Sequence, residues 1–99
     1  MKINLAQKIK TVSGQDVVLD EKGTPATLRD IAKIALQKYA TPNMPPEERD
    51  RRGKLARRMA SVKELELPVE DVARVKDSIG WYWAPEIVTP AWEALESGK

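Results

Sequence analysis

The sequence predicts an α+β domain in which an N-terminal β-hairpin packs against three or four short helices. Three observations lead there. A Ser13-Gly14-Gln15-Asp16 centre is flanked by Ile9, Val12, Val17, Val18 and Leu19, the pattern of two short strands about a turn. Apolar residues at helical spacing then recur from Leu28 to Tyr39 and again through the middle of the chain. Finally, 99 residues with 41% hydrophobic and 32% charged side chains suit one core and one domain, with residues 1–23 as the hairpin region and 24–99 as the helical region.

Taken in order, Ile3 and Leu5 alternate with polar neighbours and begin a strand or an apolar lead-in. Gly14 suits the positive φ that the hairpin turn needs, and Asp20-Glu21-Lys22-Gly23 supplies a second turn. Thr27 is the expected N-cap of the first helix, with Asp30 at N3. Leu28, Ile31, Ala32, Ala35, Leu36 and Tyr39 follow i, i+3, i+4, i+7 spacing. Three prolines between Pro42 and Pro46 end that helix, because they donate no backbone hydrogen bond, and Pro46 can open the next one.

The second helix is predicted over Glu47 to Glu64, with Leu55, Met59 and Val62 on its apolar stripe and a weak point at Gly53. A third helix is expected from Val69 to Ile79, with Gly80 as its C′ residue. Trp81 to Thr89 is too rich in proline and aromatics to read as helix. Thr89-Pro90 reads as N-cap and N1 of a short last helix carrying Ala91, Trp92 and Leu95, and Ser97-Gly98-Lys99 reads as a fraying end.

The chain contains neither Cys nor His. Disulfides, thiolate nucleophiles and the usual neutral-pH acid-base group are therefore excluded, along with the commonest ligands of zinc, copper and haem. No Walker A, G-x-G-x-x-G or G-x-S-x-G sequence is present. Glu64 with Glu66, and Glu70 with Asp71, are the remaining metal candidates, and their spacing reads as solvated surface. The expectation is a non-enzymatic protein with no catalytic residue, cofactor or metal. No apolar run approaches the ~18 residues of a membrane span, so a cytoplasmic protein with no membrane partner is expected.

Charge is unevenly distributed. Arg49 to Lys63 carries seven cations and one anion, Glu64 to Lys99 three cations and eight anions, and Met1 to Glu48 is +1, which together give the net +2. Arg51, Lys54, Arg57 and Arg58 spread round the polar side of the second helix and are candidate phosphate contacts for a nucleic acid. The reading preferred from sequence is a solvated face that neutralises the acidic tail, either within one chain or between the copies of a homodimer. Base readout by a helix-turn-helix is disfavoured, since Val69 to Ile79 offers only Arg74 and Lys76 against Glu70, Asp71 and Asp77.

Of the five aromatic residues, four lie beyond Gly80. Trp81 and Trp92 are expected to close the core. Tyr82 and Trp83, beside Ile87, are then the candidate protein interface, because neighbours on an extended segment point to opposite sides.

The stretch MKINLAQKIKTVSGQDVVLDEKGTPATLRDIAKIAL resembles small uncharacterised proteins of tailed bacteriophages and prophages, and looser similarity continues through LELPVEDVARVKDSIG and IVTPAWEALE. The resemblance implies a phage origin and little more; it supports an interaction role, docking on a phage or host protein in the host cell. It carries no catalytic or binding residue with it. The Trp81-Tyr82-Trp83 run departs from the family pattern.

Overall fold

The short first strand has no neighbour in sequence that could cover its apolar side, so its partner comes from the middle of the chain. In the computed structural model, which describes residues 1–38 and 41–97, strand β1 (Lys2–Asn4) pairs antiparallel with β2 (Glu64–Glu66). Ile3 lies opposite Leu65, and hydrogen bonds from Leu5 N to Lys63 O (2.7 Å) and from Leu67 N to Met1 O (2.9 Å) extend the ladder at both ends. Ile3, Leu5 and Leu67 thereby enter the core.

The N-terminal hairpin follows as a tight turn with isolated bridges in place of long strands. Gly14 adopts φ 87°, Thr11 N donates to Gln15 O at 2.7 Å, and Lys10 bridges Asp16. At the second turn Gly23 has φ 76°, and Asp20 Oδ1 accepts from the N–H groups of Lys22 and Thr24. Both glycines occupy the left-handed region that side chains disfavour. The segment 24–27 folds back so that Ala26 bonds both Val17 and Ile9, burying those three side chains against the helices. The outward-facing Val12, Val18 and Leu19 remain exposed.

Helix α1 (Leu28–Lys38) begins with a capping box that uses Asp where Glu is usual. Asp30 Oδ2 accepts from Thr27 N (3.0 Å) and Thr27 Oγ1 (3.2 Å), while Asp30 N donates back to Thr27 Oγ1 at 3.4 Å. Its stripe of Leu28, Ile31, Ala32, Ala35 and Leu36 is buried, and α1 packs on all three other helices. Tyr39, which the periodicity assigns to this helix, and the Gly98-Lys99 end lie outside the described residues.

Helix α2 (Pro46–Met59) opens on Pro46 as expected but stops before Glu64, the predicted end. Residues 64–66 are extended, because the register that puts Ile3 opposite Leu65 and the burial of Leu67 require a strand there. A strand also separates the two helices of the supposed helix-turn-helix. Helix α3 (Val69–Tyr82) runs through Gly80 instead of ending at it. Gly80 has no positive φ; a Cβ there would sit 3.1 Å from Cζ2 of Trp92, so the glycine serves close helix packing and not a cap.

Helix α4 (Pro85–Ser97) starts earlier than the predicted Thr89, with Pro85 in its first turn and Pro90 in its interior. An interior proline deprives the carbonyl four residues back of its donor. That carbonyl is Glu86 O, and it accepts a hydrogen bond at 3.1 Å from Val12 N in the hairpin. With the helix running from Pro85, Ile87, Ala91 and Leu95 form one buried i, i+4, i+8 stripe.

Candidate functional site

Helix α2 does not present a single basic face. Arg52 stands three and seven residues before Leu55 and Met59, so it shares their stripe and points inward, with 8% of its surface exposed. Its guanidinium is met by polar groups from α2 and α3. Nε donates to Glu48 Oε1 at 3.1 Å, and Nη1 donates to Ser78 Oγ at 2.9 Å and lies 3.0 Å from Asp77 Oδ2. Arg74 completes the network, with Nε 2.9 Å from Glu48 Oε1 and Nη1 2.9 Å from Asp71 Oδ1. Burial acts to raise the Glu48 pKa, but hydrogen bonds and charge from Arg52 and Arg74 outweigh it and hold the carboxyl below its ordinary 4.5. The sequence reading overlooked Arg52, although its place on the apolar stripe was a visible signal.

The four candidate phosphate contacts are all exposed, but they fall on two sides of the helix. Arg51, Lys54 and Arg58, with Arg74, line a cleft of about 740 Å³ shared with Glu47, Asp50, Glu70 and Asp71, four cations facing four acids. Lys54 is already paired with Asp50 at 2.8 Å. Arg57 lies apart from them, in a groove of about 560 Å³ between α1 and α2 that it shares with Lys33 and Arg49 and, among the described residues, with no carboxylate. Lys33 and Arg49 had been passed over, because their convergence depends on how α1 and α2 pack.

Helix α3 continues through Trp81 and Tyr82 to an extended C-cap at Trp83, which leaves Tyr82 exposed as expected but exchanges the places of Trp81 and Trp83. From this cap Trp83 reaches α1, while Trp81 and Tyr82, on the last turn of the helix, face outward. Trp83 is half-buried, packs on the core and donates from Nε1 to Ile31 O at 3.0 Å, so it is not an exposed anchor. Ile87 is buried on the α4 stripe and is not one either. Trp81, expected in the core, is 69% exposed, and Tyr82 is 45% exposed. Trp92 does pack on the core as expected: Nε1 donates to Lys76 O at 3.0 Å, the Lys76 ammonium lies 4.9 Å from its ring centre, and Lys76 Nζ pairs with Glu96 at 2.6 Å. Between α3 and α4, Trp81, Trp92, Ala73 and Lys76 edge a shallow recess of about 430 Å³.

Three of the four acids in the two candidate pairs are engaged in separate ion pairs. Glu64 binds Lys2 at 3.1 Å and Glu66 the terminal ammonium at 3.2 Å, while Asp71 holds Arg74. Among the described residues no group of three or more acids converges as a metal site, and no helix is long and apolar enough to cross a membrane. No protein-family model, curated protein or solved structure matches the chain.

Proposed function

We propose that this protein acts by binding another protein through the exposed aromatic end of α3, without catalysis. The observation that carries the reading is the pair Trp81 and Tyr82, two large adjacent rings 69% and 45% exposed at the end of a regular helix. Rings of this kind supply large contact area at little conformational cost and dominate the energetics of protein interfaces. The neighbouring recess edged by Trp92 offers an apolar seat for a partner side chain. Trp81 and Tyr82 thus replace the sequence-derived set of Tyr82, Trp83 and Ile87 as the centre of the interface. The resemblance to small phage proteins supports a phage accessory role in the host cytoplasm, with a phage protein, a host protein or a second copy of the chain as partner.

The test compares wild type with a Trp81→Ala/Tyr82→Ala double variant in affinity capture from host lysate and in sedimentation equilibrium. A host or phage protein retained by wild type, or a wild-type dimer, should be lost or weakened at least about tenfold in the variant. Unchanged capture and association, or a variant that no longer folds, would remove these rings from the interface.

A further inference from the structure

We propose that the groove between α1 and α2 binds the phosphodiester backbone of a nucleic acid, through Lys33, Arg49 and Arg57. This goes beyond the protein interface proposed above, with which the groove shares no lining residue. It also differs from the basic face read in the sequence, since only Arg57 of the original four contributes.

The local geometry follows from helical spacing. Arg49, Gly53 and Arg57 stand at i, i+4 and i+8 on α2, so the two arginines flank the glycine one turn to either side, their Cα atoms about 12 Å apart along the axis. Among the described residues, no neighbour lies within 4 Å of the position a Gly53 Cβ would take. Ala56 and Ala60 continue the small-residue floor, and Lys33 on α1 supplies the opposite wall. An anionic group can therefore approach the α2 backbone closely, with cations on three sides.

The charges there are not spent within the fold. Among the described residues, Lys33 and Arg57 form no ion pair, and Arg49 uses one donor to hold Thr41 O at 3.1 Å. Lys33 also borders a recess containing Asp20 and Asp30, but both carboxylates accept backbone N–H groups of their own turns. On the other side of α2 the cleft is balanced, four against four, and attracts no net anion.

Phosphate suits the groove better than an acidic protein does. Protein interfaces centre on desolvated aromatic or aliphatic anchors and are depleted of charge at the core. Here the aliphatic lining is Leu36, Ala56 and Ala60, of which the first two are already buried, so cations furnish most of the accessible chemistry. Guanidinium and ammonium groups arranged about a shallow floor match a phosphate backbone, and no base-reading element accompanies them. Binding should be independent of sequence.

The experiment is fluorescence anisotropy with a short labelled DNA duplex and a labelled single-stranded RNA, repeated at several salt concentrations. With three contacts, a fourfold rise in salt should weaken duplex binding roughly 40-fold, and Lys33→Gln with Arg57→Gln should cut the logarithmic salt slope to about a third. Gly53→Glu places a carboxylate between the arginines and should abolish binding; because Glu forms helix better than Gly and can pair with either arginine, its unfolding midpoint should match or exceed wild type. Arg51→Gln with Arg58→Gln should change affinity by less than about threefold, since those cations already face acids. No binding of either probe at low salt would overturn the proposal. So would equal loss from the Arg51/Arg58 pair, retention of binding in a folded Gly53→Glu variant, or displacement by polyglutamate as efficient as by unlabelled nucleic acid.

Discussion

One side of α3 meets α2 through charge, with Arg52 and Arg74 converging on Glu48 and reaching Asp71, Asp77 and Ser78. Its other contacts, with α4 and α1, are made through rings: Gly80 lets Trp92 lie against the helix, and the indoles of Trp92 and of Trp83 at the helix end each donate to a carbonyl of a neighbouring helix. The two sides contribute differently. Desolvating ions costs nearly what their attraction returns, so the charged side mainly fixes the relative orientation of α2 and α3. Indole burial scales with apolar area and is insensitive to salt, so the aromatic side should contribute more to stability.

That contrast can be broken most directly at the rings. Trp92→Ala and Trp83→Ala should each lower unfolding free energy by about 3 kcal/mol in urea titrations, near the low end for buried aromatics because both are only half-buried. A loss below about 1 kcal/mol for both would reverse the ranking of the two sides. Arg52→Ala should cost less, about 2 kcal/mol: it leaves the buried Ser78 hydroxyl without its guanidinium partner, while Glu48 keeps Arg74 and Asp77 is open to water.

The smallest effect is a matter of pH. Because the folded-state pKa of Glu48 lies below 4.5, the folded state holds its proton more weakly than the unfolded chain does. Its contribution is complete above about 4.5 and disappears as pH falls through the lowered value. Acid titration of stability should therefore be shallower in Glu48→Gln than in wild type below that point, whereas Trp92→Ala should keep the wild-type slope. Parallel acid curves for wild type and Glu48→Gln would detach this carboxylate from the stability of the α2–α3 junction.

Much of the fold was visible locally. The cap at Thr27 and Asp30, the α1 stripe, the Gly14 turn and the opening of α2 at Pro46 all depend on residues within a few positions of one another. The misreadings involve distant partners. Gly80 resembles a C-cap until Trp92 is seen against it, and Pro90 resembles a helix start until Val12 is seen bonding Glu86 O. Val62 to Glu64 continues the helical pattern of α2 until Ile3 is placed opposite Leu65. The interaction surfaces were legible as residue types but not as groupings: helix packing separates Arg57 from Arg51 and Arg58, and the end of α3 at Tyr82, with an extended cap at Trp83, exchanges the roles of Trp81 and Trp83.

The proline inside α4 also bears on how the chain reaches its native state. No local rearrangement of the last helix can supply the donor that Glu86 O lacks, since the group that meets it comes from a turn near the opposite end of the polypeptide. The closing helix therefore gains its last protein hydrogen bond only once the opening turn has docked, water serving the exposed Glu86 carbonyl until then. Such a long-range stitch favours late, concerted consolidation over stepwise growth from either end.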